Sequence, residues 1–219
     1  NFIHNTALSN LLVFLCKQRG VKRFIFGSTC SIYGYSNSEE MSEDSPTSPS
    51  FPYGLSKMQS EYAINDSTDT NFRPIIFRQA TVFGWAPRMR FDLVVNTMTK
   101  YGVCYGKIKV TNPELWRPLI HIRDLVDAYL QALKAPDEIS GTFNISNKNY
   151  TILQIAQEVK NTLNDHNIEC DLDILNEHEE LFSREDCQMF FLLLSVQYAV
   201  LNNHNQKGMK GASLQEIRK

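Results

Sequence analysis

The chain has 219 residues, and its 22 lysines and arginines nearly balance its 24 aspartates and glutamates, which leaves a formal net charge of −2 at pH 7. This balance excludes a globally basic nucleic-acid-binding protein, while a hydrophobic fraction of 42% is typical of a chain that folds around a core. No apolar run reaches the roughly 18 residues that a membrane-spanning helix needs, so the sequence predicts neither a nucleic-acid nor a membrane partner.

Helices and strands are predicted to alternate through the first part of the chain. Apolar spacing predicts a helix over 3–18, which Gly20 would end. A short apolar run predicts a strand over 21–27, and a second helix and strand are predicted over 53–64 and 73–78. Helix followed by strand, repeated, is typical of parallel α/β construction.

The alternation continues through the middle of the chain. Helices are predicted over 91–99, over 123–134 and from an N-cap at Thr151, and extended segments over 119–122 and 141–146. After about residue 176 the pattern weakens, and the sequence assigns this tail no role in an α/β fold.

The sharpest chemical pattern is Tyr-Gly-Leu-Ser-Lys at Tyr53–Lys57, in the second predicted helix. Residues four apart share a helix face, so the phenol of Tyr53 and the ammonium of Lys57 would point into the same space. A nearby cation favours the phenolate and lowers the pKa of a tyrosine from about 10. Such a tyrosine can exchange a proton with an alcohol, although any helix can carry this spacing by chance.

Small hydroxyl residues follow the first predicted strand, in the segment Gly-Ser-Thr-Cys-Ser-Ile-Tyr-Gly at 27–34. Parallel sheets place their ligands at the carboxyl ends of strands. The hydroxyl of Thr29 would there hydrogen-bond the substrate oxygen that loses its proton. The alternative interpretation is an ordinary turn rich in serine and glycine.

Together these segments resemble the extended short-chain dehydrogenase/reductase family, and more narrowly its NAD-dependent nucleotide-sugar epimerase/dehydratase branch. Two further motifs carry the likeness, Thr-Val-Phe-Gly at 81–84 and Trp-Arg-Pro-Leu-Ile-His-Ile-Arg-Asp at 116–124, and it covers about residues 1–165. The implied fold is α/β, a partial Rossmann-like parallel sheet with a smaller α/β substrate-binding domain. The sheet would be the C-terminal half of the NAD-binding domain.

The resemblance also implies roles for individual residues. Thr29, Tyr53 and Lys57 would be catalytic, and Ser28 and Thr81 would join Tyr53 and Lys57 in binding NAD, with NADP left open as the cofactor. No metal is implied.

On the substrate side, the resemblance implies that Thr29 holds the reacting oxygen and that Arg117 reaches the diphosphate of a nucleotide-sugar. The planar fork of arginine suits a diphosphate because it pairs two oxygens at once. Arg88, Arg90 and Asp92 lie in the region that closes on the sugar in relatives, and they fit solvated charges at a helix start equally well.

Relatives that dehydrate or decarboxylate their substrates typically carry an acid two residues after the catalytic hydroxyl. That position is Ser31 here, preceded by Cys30, and neither is a competent acid at neutral pH. The resemblance therefore implies epimerisation of a nucleotide-sugar through a transient keto intermediate. A nucleotide-sugar reductase or dehydrogenase, and a non-catalytic truncated relative, stay open as alternatives.

The glycine-rich dinucleotide fingerprint that relatives carry near their N-terminus is absent from this sequence. We therefore expect an N-terminally truncated chain that binds NAD poorly or not at all. Residues 1–84 would be the C-terminal part of the Rossmann domain and 85–175 mainly the substrate-binding domain. Segments around 117–134 would return to the Rossmann domain, and 176–219 would be an atypical tail.

The resemblance also implies an assembly, and the cysteines and the start of the sequence indicate a location. Relatives often dimerise through the helices that correspond to 3–18 and 53–64, so a homodimer is expected for the full-length enzyme. The five cysteines are odd in number and form no Cys-x-x-Cys pair, and no signal peptide opens the sequence. A cytoplasmic location is therefore expected.

Overall fold

A computed structural model describes residues 2–34 and 40–175 of the chain. The helices in this part are α1 (Phe2–Gln18), α2 (Pro52–Asp66), α3 (Val94–Tyr105), α4 (Ile122–Lys134) and α5 (Ile152–Asp165). The strands are β1 (Ile25–Thr29), β2 (Ile75–Gln79), β3 (Thr81–Phe83), β4 (Lys107–Val110), β5 (Trp116–His121), β6 (Gly141–Ile145), β7 (Lys148–Thr151) and β8 (Asp171–Ile174). The predicted tail at 176–219 lies outside the described residues.

The described residues divide into two compact units. The first contains the residues up to Ala80 together with Asp124–Ser146, and the second contains Thr81–Arg123 and the described residues from Asn147 onward. None of the described helices is long and apolar enough to span a membrane.

The first unit is built on a three-stranded parallel sheet in the order β1-β2-β6. The central strand, β2, buries four successive residues, as a strand covered on both faces does. Helices α1 and α2 pack together, and Val13, Phe26, Ile64, Phe72 and Ile76 form the buried cluster of this unit. The predicted parallel α/β construction is therefore confirmed.

The first strand begins later than its apolar run predicted. Val21 is still engaged with the end of α1, because its backbone N–H donates to the Cys16 carbonyl at 3.0 Å. Pairing with β2 starts only at Ile25, opposite Ile75, and continues to Thr29. The prediction of a strand over 21–27 was therefore wrong at both ends, since the register with β2 sets its limits.

The second unit holds two small sheets and two helices. Strands β3, β5 and β7 form one sheet, in which β5 and β7 are antiparallel, and β4 pairs in parallel with β8. Helices α3 and α5 pack against each other and share a buried cluster with Ile108 and Val110 of β4. The short strands β4 and β8 were not predicted.

The helix ends of the second unit follow local capping chemistry. Thr151 accepts from the backbone N–H of Gln154, and the Gln154 side chain accepts from the N–H of Thr151, which completes a capping box at the predicted start of α5. Helix α3 starts at Val94 and not at residue 91, because the backbone of Leu93, its N-cap residue, is extended (φ −97°, ψ 139°). It runs on to Tyr105, where Gly106 ends it with a positive φ of 63°.

Candidate active site

Ser28 and Thr29 are the last two residues of β1, and both are buried. Their predicted position at the carboxyl end of this strand is confirmed, and the strand itself ends two residues later than residue 27, where it was predicted to end. A short 3₁₀ turn, Cys30–Tyr33, follows directly, and Thr29 caps it by accepting from the backbone N–H of Ser31 at 3.2 Å. The Thr29 hydroxyl also donates to the Ser31 hydroxyl at 3.1 Å. The hydroxyl residues thus stand at the carboxyl edge of the parallel sheet, where such folds place ligands.

Helix α2 carries the Tyr53 and Lys57 pair in its first two turns. Pro52 occupies the first turn, where its missing N–H costs no hydrogen bond. The Lys57 ammonium donates to the carbonyl of Gly27 at 2.8 Å and lies 4.7 Å from the centre of the Phe26 ring. Burial lowers the pKa of Lys57 from its ordinary value. These contacts fasten the helix to β1 two residues before Thr29.

Gly54 explains how closely α2 approaches the turn after β1. A Cβ at this position would lie 2.9 Å from the carbonyl oxygen of Ser31 and 3.0 Å from the Cβ of Pro49. Both distances are shorter than ordinary contacts, so only glycine fits without a shift. The first unit therefore brings the start of α2, with Tyr53 half-exposed on it, against the segment that follows Thr29.

A buried polar network that the motifs did not predict surrounds the end of this sheet. The Ser28 hydroxyl donates to the Glu61 carboxylate, which also accepts from the Arg78 guanidinium at 2.8 Å and 3.1 Å. Arg78 donates further to the Tyr33 phenol at 2.9 Å, and that phenol donates to the Asn144 side chain at 2.6 Å. Burial raises the pKa of Tyr33 above its usual value.

Two sequence signals point to this network. Glu61 follows Lys57 by four residues, so it shares the helix face of Tyr53 and Lys57. Arg78 is a charged residue that directly follows three buried apolar residues of β2, and a buried charge of this kind requires a partner. Neither signal identifies which residues meet, because the partners come from separate segments.

The remaining predicted residues lie in the second unit. Thr81 opens β3 opposite Leu119 of β5, and it is partly buried. Arg117 lies on β5 opposite Tyr150, and its guanidinium donates to the carbonyl of Trp116 at 3.0 Å.

The charged segment before α3 is largely exposed. Arg88 is exposed, and Asp92 accepts from the Arg90 guanidinium at 2.6 Å and 3.1 Å. An exposed pair of this kind adds little stability, so it leaves both side chains able to exchange partners at small cost. The roles predicted for Arg88 and Asp92 stay predictions.

No group of three or more histidine, cysteine, aspartate or glutamate side chains suited to a metal ion occurs among residues 2–34 and 40–175.

Comparison with known proteins shows the family to which this chain is similar. A family model described as the NAD dependent epimerase/dehydratase family matches residues 1–146. The UDP-glucose 4-epimerase of Azospirillum brasilense is 31% identical in an alignment 146 positions long that covers 59% of this chain and 42% of that protein. The dTDP-D-glucose 4,6-dehydratase of Homo sapiens is 28% identical in an alignment 170 positions long that covers 75% of this chain and 47% of that protein.

The solved structures agree on the fold. UDP-glucuronic acid 4-epimerase from Bacillus cereus, in complex with NAD, matches with a TM-score of 0.67 at 24% identity, over 78% of this chain and 54% of that chain. This likeness confirms the predicted Rossmann-like α/β fold. The chain spans less than half the length of the two curated relatives.

Proposed function

Because this chain belongs to the NAD dependent epimerase/dehydratase family, we propose that the protein epimerises a nucleotide-sugar through a transient keto intermediate. The match of the family model confirms the family that the motifs predicted. The reaction is our inference. One observation carries it: the Tyr53 helix is bound through Lys57 to the strand end that bears Thr29. In the proposed reaction, this arrangement would supply a phenol, a cation and a hydroxyl around one reacting oxygen.

NAD is the proposed cofactor, and the residues present fit it. Lys57 donates one of its three ammonium protons to the Gly27 carbonyl. The other two can be donated to ribose hydroxyls. Ser28, Tyr53 and Thr81 are the further residues proposed to hold the cofactor. When bound, NAD supplies a reversible hydride acceptor.

Tyr53 is the proposed acid and base of the reaction. Its phenolate would take the proton of a sugar hydroxyl, and its phenol would return that proton after the ketone has turned. The Lys57 cation is partly desolvated, so it stabilises a nearby phenolate more strongly than a solvated lysine would. The Thr29 hydroxyl, which donates to Ser31 in this structure, would turn its proton to the same sugar oxygen and fix its position.

The second unit would bind the nucleotide-sugar. Arg117 is proposed to pair with the diphosphate, and Arg88 and Asp92 to contact the sugar. Asp92 is paired with Arg90, so a sugar hydroxyl would have to share or replace that contact.

Epimerisation is favoured over dehydration by the turn that follows Thr29. The turn Cys30–Tyr33 contains no carboxyl group, and the Ser31 hydroxyl accepts from Thr29. Elimination of a sugar hydroxyl needs a proton donor near the leaving group, which this turn does not provide. The relatives include both kinds of enzyme, so the product decides the assignment.

The test compares Tyr53→Phe with Tyr62→Phe in the intact protein, because Tyr62 is an exposed tyrosine on the same helix. With UDP-sugars and catalytic NAD, we expect NMR to show the 4-epimer without net NADH formation. Loss of the phenol proton should lower kcat by about 10² to 10⁴-fold in Tyr53→Phe and leave Tyr62→Phe unchanged.

Three results would count against the proposal. Equal rates in the two variants would remove Tyr53 from the chemistry. Stoichiometric NADH formation or consumption would identify a dehydrogenase or reductase. Binding of NAD and nucleotide-sugar without turnover would identify a non-catalytic relative.

We infer that the protein is a cytoplasmic homodimer that pairs through α1 and α2. Large apolar side chains on α1 are more than half exposed, including Leu8, Leu11, Leu12 and Phe14. Exposed apolar patches of this kind usually mark an interaction surface. A monomeric mass by light scattering at micromolar concentration would exclude the dimer.

A further inference from the structure

Three polar residues form a row across the parallel sheet of the first unit. Ser28 pairs in register with Arg78, and Arg78 pairs with Asn144, so the three occupy equivalent positions on β1, β2 and β6. Each stands one residue before the end of its strand. Because side chains alternate between the faces of a sheet, residues in one register row project to the same side.

Arg78, at the centre of this row, joins three different elements. Its Nε and Nη2 donate to the Glu61 carboxylate of α2, at 3.1 Å and 2.8 Å. Its Nη1 donates to the Tyr33 phenol, at the end of the turn that Thr29 begins, and to the backbone carbonyl of Glu43, both at 2.9 Å. One guanidinium thus binds the helix, the turn and the following loop.

The loop around Glu43 has a second attachment at the end of β6. The Glu43 carboxylate accepts from the backbone N–H of Asn144 at 2.6 Å, and the Asn144 amide donates to the Met41 carbonyl at 3.0 Å. Beyond this segment, the backbone N–H of Ser48 donates to the Ile32 carbonyl at 2.9 Å, which returns the chain to the turn after Thr29. The segment 41–48 therefore depends on contacts with β2, β6 and the turn.

The position of Glu61 connects this network with the proposed chemistry. Tyr53, Lys57 and Glu61 are spaced by four residues and lie on one face of α2. Lys57 fastens this face to β1, and Glu61 fastens it to β2 through Arg78. Two such contacts fix both the position and the rotation of the helix that presents Tyr53.

A buried ion pair adds little net stability compared with apolar residues of similar size, because desolvation offsets most of the attraction. Arg78 and Glu61 are both at least nine-tenths buried. The benefit of this pair therefore lies in the geometry that it imposes. The fork of arginine matters here because it reaches Glu61 on one side and Tyr33 and Glu43 on the other.

We propose that Arg78 is a positioning residue, which locks the turn after Thr29 and the Tyr53 face of α2 onto the strand ends in the geometry that proton transfer requires. This inference rests on the proposed function. Arg78 acts through Glu61, Tyr33 and Glu43.

Arg78→Lys in the intact protein is the test, and Arg23→Lys is the matched control. Lysine keeps the charge beside Glu61 but cannot also reach Tyr33 and the Glu43 carbonyl. Arg23 lies just before β1 in the same unit and is largely buried. Its guanidinium donates to the carbonyls of Ala135, Pro136 and Ile139. Both variants lose a guanidinium fork, and only one loses it at the proposed site.

We expect Arg78→Lys to lower kcat by about 10- to 100-fold, since misplacement of reacting groups by about 1 Å costs that much. The KM for the nucleotide-sugar and the affinity for NAD should stay within about twofold of the unsubstituted protein. Arg23→Lys should lose stability without losing kcat. Tyr33→Phe, which breaks one arm of the network, should lower kcat in the same direction as Arg78→Lys.

Two results would overturn the proposal. One is an unchanged kcat in Arg78→Lys when both lysine variants are equally destabilised. The other comes from hydrogen exchange, which is independent of turnover: we expect at least tenfold faster exchange over 30–33 and 41–48 in Arg78→Lys only. Unchanged exchange there would refute the positioning role even if the unsubstituted protein proved inactive. Faster exchange in Arg78→Lys, combined with inactivity of the unsubstituted protein, would refute only the proposed function.

Discussion

The substitution Gly54→Ala tests whether the start of α2 rests on the turn after Thr29. The added methyl group would lie 2.9 Å from the Ser31 carbonyl oxygen, 0.5 Å less than the 3.4 Å at which ordinary contact begins. It would also lie 3.0 Å from the Cβ of Pro49. A carbonyl of the main chain cannot turn aside as a long side chain can, so the helix start has to move by a few tenths of an ångström.

Two opposing effects set the change in the free energy of unfolding. Alanine is better than glycine within a helix by up to about 1 kcal/mol. Overpacking a close contact costs about 1–3 kcal/mol. The contact with Ser31 is the larger effect, and we expect a net destabilisation of about 1 kcal/mol. Because Tyr53 is the preceding residue, a shift of about 0.5 Å should lower kcat by roughly tenfold.

The assay is urea denaturation together with steady-state kinetics, and Gly20→Ala is the control. Gly20 has a positive φ of 69° with no atom near its missing Cβ, so alanine there strains the backbone by about 1 kcal/mol without displacing a neighbour. We expect both variants to lose stability and only Gly54→Ala to lose activity. If Gly54→Ala were stabilised by about 1 kcal/mol with unchanged kcat, the close approach would be refuted.

Two further predictions concern stability. Ile108→Ala should lower the free energy of unfolding, measured by urea denaturation, by about 2–5 kcal/mol because Ile108 is fully buried on β4. Ile174→Ala, on the paired strand β8, should lower it far less because Ile174 is 54% exposed. Equal losses would contradict the assigned core. The hydrogen bond from Lys17 holds the pKa of Asp69 below its usual range, so the native state gains stability above about pH 4 and loses it as the pH falls through the lowered value. In Asp69→Asn, the free energy of unfolding should fall less between pH 7 and pH 2 than in the unsubstituted protein. The same dependence on pH in both proteins would refute the linkage.

Much of the local structure could be predicted from the sequence. The spacing of Tyr53 and Lys57 predicted a shared helix face, and Thr151 predicted the start of α5, because caps and helix faces depend on residues within one or two turns. The order of four motifs predicted the family. The ends of β1 and the pair β4–β8 could not be predicted, since a short strand is defined by its partner as much as by its own residues.

The sequence by itself therefore determined the presence and order of the helices, the parallel α/β class and the residue types available for proton transfer. Only the tertiary structure decided which side chains meet around the residues proposed for proton transfer. Ser28, Arg78 and Asn144 come from three separate segments, and the register of β1, β2 and β6 alone aligns them. A slip of one residue would turn any of them to the opposite face of the sheet, so the network around Arg78 exists only when all three strands pair as they do.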